Sequence, residues 1–178
     1  MSSKMNIGIS IRQDAPMPQL MRECREVEDA GFRWIGLADS QLKRREFYIS
    51  YTACALSTIK ASFIPVVSIV VTRHPSVVAG AMLSLYELAP GRVNLGLAAG
   101  DSAVYEVGLT MAKVDYMREY IKTVKGLLNG EEVTWQGQTF RAKWRDWQPP
   151  VPVKIFVAAS GPRTIKMAAG VADGLIGG

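Results

Sequence analysis

The sequence predicts an α/β fold built on a parallel sheet, and three observations carry that prediction. Short apolar runs alternate with amphipathic helical patterns along the chain, one pair about every 30 residues, which is the length of a β-α-β unit. The third apolar run, residues 63–71, is apolar on both faces apart from Ser68. A strand covered by helices on one side and packed on the other has that character. Arg12, Gln13, Asp14 and Ala15 follow the first run where an open dinucleotide-binding sheet would place a G-x-G-x-x-G turn, so a sheet closed as a barrel is favoured over an open one.

The elements follow in order. Residues 7–11 form the first strand, and the next helix puts Leu20, Cys24, Val27 and Ala30 on one face with Gly31 as its C-terminal cap. A second strand at 34–38 ends in Asp39-Ser40 and precedes a helix at about 47–59. After the third strand, Pro75 stands where a helix begins, with Val78, Met82, Leu85 and Leu88 at helical spacing. The fourth strand, 92–97, opens after Pro90-Gly91 and closes on Ala98-Ala99-Gly100-Asp101. A connection from Ser102 to Val114 leads to a helix at 115–128 that carries Met117, Ile121, Val124 and Leu128 on one side. Residues 132–135 and 138–141 flank Gln136-Gly137 as a hairpin outside the sheet. A fifth strand at 154–158, a helix begun by Ser160-Gly161-Pro162 and a sixth strand at Gly174-Leu175-Ile176 complete the pattern.

Composition narrows the function classes. A chain of 178 residues with 48% apolar and 21% charged residues reads as one soluble domain over 1–178. The formal charge of +5 is spread out except at Lys43-Arg44-Arg45, so no nucleic-acid footprint is expected, although an anionic ligand would suit it. Cys24 and Cys54 have neither C-x-x-C spacing nor a histidine cluster beside them, which points to buried thiols and to no metal site. Met1 to Asn6 has no leader character and no apolar run approaches 18 residues, so a cytoplasmic protein without a membrane partner is expected.

In a β/α barrel the reacting groups gather at the carboxyl ends of the strands. Here those ends supply Asp39 and Ser40, Ser68 to His74, Gly100 to Ser102, and Ala159 to Thr164. Ser160-Gly161-Pro162-Arg163-Thr164 combines helix-start N–H groups, a glycine, a hydroxyl and a guanidinium, the ingredients of a phosphate site. The same residues also read as an N-cap followed by a first-turn proline. Asp101 and Asp39 are each a candidate acid or base, or a turn aspartate. His74 before Pro75 fits a helix start, and Trp135, Trp144 and Trp147 fit either a lid or a packed hairpin.

Three segments together resemble the bacterial-luciferase-like family, in particular its methylenetetrahydromethanopterin-reductase branch: Thr72-Arg73-His74-Pro75, then Leu88-Ala89-Pro90-Gly91-Arg92, then Gly96-Leu97-Ala98-Ala99-Gly100-Asp101-Ser102-Ala103. Asn129-Gly130-Glu131-Glu132-Val133 with Gly137-Gln138-Thr139-Phe140-Arg141 is similar to that family's inserted hairpin, and the V-A-A-S-G-P-R segment with the later V-A-D-G to its fifth strand and helix. The resemblance implies a TIM-type β/α barrel, present here as about five β-α units plus a sixth strand and so truncated at the C-terminus. It implies an oxidoreductase that transfers hydride to or from a small-molecule substrate. The coenzyme would be FMN or the deazaflavin coenzyme F420.

On this resemblance the coenzyme phosphate rests on Ser160, Gly161 and Arg163, with Ala159 and Pro162 also in the coenzyme site, and the ring passes Val67, Ser68, Ala99 and Gly100. A non-proline cis peptide is expected near residues 66–68. Asp101 matches an acidic position used in proton transfer and Asp39 a ring-proximal position. FMN-dependent members often carry an arginine where Ala99 stands, which tilts the choice toward the deazaflavin. Two further functions are compatible: a reduced-flavin monooxygenase, and a flavin-binding partial barrel without turnover. An open barrel interior, with Ile7, Ile9 and Ile11 exposed on it, would make the chain a homo-oligomer.

Overall fold

The apolar runs of the sequence become parallel strands, and the amphipathic runs become helices that cover one face of them. The structure is a computed structural model that describes residues 7–144 and 146–177, so residues 1–6 lie outside the described residues. Along the chain come β1 (Gly8–Ile11), α1 (Met17–Asp29), β2 (Trp34–Leu37), α2 (Phe47–Ser57), β3 (Ser62–Pro65) and β4 (Ser68–Ile69). Next are α3 (Pro75–Leu88), β5 (Leu95–Ala98), the single turn α4 (Ser102–Tyr105) and α5 (Val114–Leu128). Then follow β6 (Val133–Trp135), β7 (Gln138–Phe140), β8 (Ile155–Ala158), α6 (Pro162–Val171) and β9 (Gly174–Ile176).

Two parallel sets, β1-β2-β3 and β4-β5-β8-β9, keep the order of the sequence. They meet where Phe63 N–H donates to Arg92 O at 2.7 Å and Asn94 N–H donates to Phe63 O at 3.0 Å. The Tyr51 hydroxyl locks that junction, donating to Phe63 O at 2.9 Å and accepting from Asn94 N–H at 3.1 Å. The third strand of the sequence thus becomes two short strands, divided at a cis peptide between Val66 and Val67.

Register fixes which residues face the helices. Ile35 pairs with Phe63, Leu95 with Ile155, and Leu97 with Val157, and all six are buried under α1, α2, α3 and α5. Each such side chain contributes roughly 1.5–3 kcal/mol. Ile7 and Ile9 are exposed, at 55% and 39%, as the sequence predicts, but Ile9 and Ile11 pair with Ile35 and Leu37 and so share the helix side of the sheet, which corrects the expectation that they face the barrel interior. Side chains alternate along a strand, and one register step decides the face. The other face carries Gly36, Gly96, Ala98, Phe156 and Ala158, and at the two glycines neighbouring groups approach so closely that a side chain would clash. A side chain at Gly96 would meet the Pro65 carbonyl oxygen at 2.0 Å.

The hairpin forms as expected: β6 and β7 are antiparallel around Gln136-Gly137, outside the parallel strands. Trp135 is buried edge-on against Tyr116 and Tyr120, and Trp147 stacks on Tyr86. These two tryptophans are therefore packing residues. Cys24 and Cys54 are buried free thiols, and the hydrogen bond between them, with burial, pushes the Cys54 thiol up. Among the described residues no helix is long and apolar enough to cross a membrane.

Glu28, near the end of α1, binds the loop that enters β3, accepting N–H bonds from Lys60 and Ala61 at 2.6 Å and from Ile59 at 3.0 Å. Burial alone would raise its carboxyl, but these bonds and Arg92 hold it below the ordinary value. Because the folded value is depressed, the stabilisation is present above the unfolded value of about 4.3 and disappears as pH falls through the folded one. Glu28→Gln should therefore lower urea stability at pH 7 by about 1 kcal/mol, a figure discounted for solvent screening. The gap between variant and wild type should close as pH falls through the folded value.

Candidate active site

Behind the carboxyl ends of the strands, Asp39 occupies the residue pair that closes β2 and is 3% exposed. Arg73 binds it through both guanidinium nitrogens, Nη2 to Oδ1 at 3.1 Å and Nη1 to Oδ2 in a shorter contact, and the Ser68 hydroxyl donates to Oδ2 at 2.8 Å. Arg73 also reaches Glu46 at 3.0 Å and lies 5.1 Å from the Tyr48 ring centre, while the Tyr120 hydroxyl donates to its carbonyl at 3.0 Å. Burial works against the guanidinium charge, but the bonds and charge of Asp39 outweigh it and hold Arg73 above its ordinary value. Burial pushes the Tyr48 hydroxyl up.

This cluster joins the parts that shape the rim. Glu46 caps α2 through Ile49 N–H at 2.8 Å, and His74 caps α3 by accepting from Ser76 N–H at 3.3 Å. Gln13, fully buried, mimics a strand by exchanging two bonds with the Ala38 backbone at 2.9 and 3.1 Å. His74 therefore has a structural role, and its ring lies against Phe140 of the hairpin.

In front of the cluster is a cleft of about 610 Å3 across the ends of β4, β5, β8 and β9. Val66, Val67, Ile69, Met111 and Ile176 make it apolar, while Asp101, Ser160 and Thr164 bring polar groups to it. Gly100 turns the chain at φ +113°, and a Cβ there would stand 2.8 Å from Val104. Asp101 then caps α4, its Oδ1 accepting from Ala103 N–H at 3.2 Å and meeting the Ser102 hydroxyl at 3.4 Å. That turn, four residues long, lies where the sequence predicts a plain connection, because one turn is too short to show periodicity.

Of the residues singled out from sequence, Val67, Ala99, Gly100, Asp101, Ala159, Ser160 and Gly161 converge on the cleft. Ser68 and Asp39 sit behind it in the buried cluster. Pro162 opens α6, and Arg163 lines a separate hollow between α5 and α6 with Asp115, Arg118 and Lys166. Helix geometry separates Arg163 from its neighbour, since successive residues turn by about 100° and Thr164 is the one that faces the cleft. Sequence reasoning had Thr164 in its phosphate-site segment but passed over Met111 and Gln13, which lie in connections where periodicity gives no signal.

The family model of the luciferase-like monooxygenases matches residues 4–178. The chain belongs to that family. It is 29% identical over 175 residues to a 5,10-methylenetetrahydromethanopterin reductase from Archaeoglobus fulgidus, a match covering 97% of this chain and 52% of the relative. It is 33% identical over 174 residues to an F420-dependent hydroxymycolic acid dehydrogenase from Mycobacterium tuberculosis, covering 89% and 48% respectively. Among solved structures, the coenzyme F420 dependent tetrahydromethanopterin reductase from Methanopyrus kandleri superimposes with a TM-score of 0.85 at 21% identity, covering 98% of this chain and 56% of that one. The chain therefore shares the fold of this luciferase-like protein, and it spans about half the length of the relatives it matches.

Removing one partner of the buried pair tests the cluster. Arg73→Met leaves the Asp39 carboxylate buried without its cation and should cost about 3–5 kcal/mol in urea unfolding. Asp39→Leu combined with Arg73→Met should recover most of that loss, since a matched apolar pair leaves no charge behind.

Proposed function

We propose that this luciferase-like chain carries the coenzyme cleft of a deazaflavin-dependent oxidoreductase, in which hydride passes to or from a small organic substrate. The observation that carries this reading is the convergence of Asp101, Ser160, Gly161 and Ala99 on one apolar cleft at the carboxyl ends of parallel strands. In this reading the strands are consecutive members of a TIM-type β/α barrel, whose sites lie at that end.

The residues fit such a coenzyme. A volume of about 610 Å3 is within the range of cofactor pockets. Flat apolar walls at Val66, Val67 and Ile176 suit a tricyclic ring, and open space around Gly161 leaves the backbone approachable. Ser160, Gly161 and Thr164 would hold the phosphate, with Arg163 adding charge from the far side of the first turn. When bound, a reduced deazaflavin supplies the hydride. Asp101 would hold or deliver a proton at its carboxylate beside the ring. Asp39 would act through Ser68, fixing the strand end that lines the cleft. Ala99 places a methyl on the wall where FMN-dependent members often have an arginine, and the relatives named above include an F420-dependent dehydrogenase, both of which favour the deazaflavin over FMN.

Titration with coenzyme F420 and with FMN, followed by absorbance, should show tighter binding of the deazaflavin. Tighter FMN binding would shift the assignment to a flavin monooxygenase, and binding of neither would remove it. Asp101→Asn should lower turnover by about 100-fold with little change in coenzyme affinity, as loss of an acid or base does. Arg163→Ala should weaken coenzyme binding only a few-fold and in a salt-dependent way, because its charge acts at a distance.

A further inference from the structure

On the reading that the cleft holds a hydride-carrying coenzyme, we propose that the loops after β1 and β2 seat a dianionic head group of the substrate, a phosphate monoester or a dicarboxylate. Lys43, Arg44 and Arg45 line one shallow hollow with Gln13, Asp14 and Leu42, about 410 Å3 in volume. These three cations form the run of charge that stands out in the sequence, and none of them lines the coenzyme cleft.

Fixed donors distinguish the hollow from a solvated surface. Arg44 Nη1 donates to Asp14 Oδ1 at 2.8 Å and to the Lys43 carbonyl at 2.9 Å, and its side chain is only 21% exposed. Arg45 Nη1 donates to the carbonyls of Asp14 and Gln13, across the gap between the two loops. Among the described residues, neither arginine has a protein partner at Nε or Nη2, the edge of a guanidinium that grips an oxyanion with two parallel bonds. Side chains already held in place lose little rotamer freedom on binding.

Charge selects the ligand class. Arg12 and Arg44 share Asp14, Lys43 pairs with Glu106 at 2.6 Å, and Arg45 meets only carbonyls among the described residues. Four cations against two carboxylates leave an excess of +2, which a head group of charge −2 neutralises.

The hollow also stands beside the cleft. Gln41 Nε2 donates to the Ala103 carbonyl at 3.2 Å and Lys43 reaches Glu106, so the loop after β2 lies along α4, and Asp101, the cap of that turn, lines the cleft. From Asp101 to Glu106 the helical rise is on the order of 8 Å, a span that a small organic molecule covers. Leu42, 69% exposed, offers its carbon skeleton an apolar contact.

Hydrogen exchange of the coenzyme-free protein, with inorganic phosphate in one series and malonate in another, tests the seat at ionic strength held constant with chloride. The amides of Lys43, Arg44 and Arg45 bond to Ser40 and Gln13 carbonyls, and their exchange should slow and saturate with a Kd on the order of 1 mM, with no effect of chloride. Slowing by phosphate alone assigns a phosphate monoester, and slowing by malonate alone a dicarboxylate. Arg45→Gln should weaken the effect at least about 10-fold, whereas Arg163→Ala, on the far side of α6, should leave it intact. If Arg45→Gln loses its far-UV circular dichroism, Lys43→Ala carries the test, since that side chain bonds only to Glu106 at the surface. No slowing at residues 40–46, or slowing that survives both substitutions, would overturn the seat. In turnover with coenzyme F420, Arg45→Gln should raise KM for a dianionic substrate by about 10-fold with kcat little changed. A protein that binds the coenzyme but ignores both anions would keep the proposed function and lose this substrate class. One that binds the anions but no coenzyme would remove the proposed function, and with it the substrate role of the seat.

Discussion

Asp39 holds a carboxylate at the end of β2 where water hardly reaches it, and a charge in that position is tolerated only with charge-assisted partners already in place. Its partners come from separate parts of the chain: Ser68 from the strand beyond the cis peptide and Arg73 from the segment that starts α3. Arg73 in turn engages Glu46 at the start of α2 and is bound at its carbonyl by Tyr120 of α5. Four elements must therefore arrive together for the carboxylate to be satisfied. The cleft inherits its back wall from this arrangement, since Val66, Val67 and Ile69 flank Ser68 in sequence and line the space in front of it.

Much of the fold was legible because burial follows period. Each of the six strands read from apolar runs is present, though the third is divided, and the helices begin close to the prolines and caps that mark them, as at Pro75 and Pro162. The hairpin was legible from its turn residues. Pairing register was not, because period alone gives two faces without saying which is covered. For that reason Ile9 and Ile11 were assigned to the wrong side, and only the pairing with Ile35 and Leu37 decides it. The one-turn α4 was likewise invisible, since Asp101 reads equally as a cap and as a reactive group until its bond to Ala103 is seen.

The candidate site divides in the same way. Residues that reach the cleft through their backbone position, such as Ala99, Gly100 and Gly161, follow from knowing where strands end. Residues whose role depends on side-chain direction do not. Asp39 and Asp101 look alike in sequence, each standing just past a strand end, yet one is sealed into an ion pair and the other opens on the cleft. Arg73 stands in a segment that could be recognised, but its role as the counter-ion of Asp39 depends on a contact 34 positions back along the chain.

Placing the guanidinium of Arg163 outside the cleft changes how a phosphate would be held there. At the α6 end of the cleft, across from Asp101, the available groups are the hydroxyls of Ser160 and Thr164 and the backbone at Gly161, all neutral and all at or just before the first turn of α6. Neutral donors at a helix start bind an anion by direction and need little rearrangement to do so. The cations of Arg163, Lys166 and Arg118 gather on the other side of that turn and act through the longer-ranged, salt-screened field. In the proposed function, geometry and charge would thus come from different residues, and the surface charge could vary without disturbing the phosphate seat.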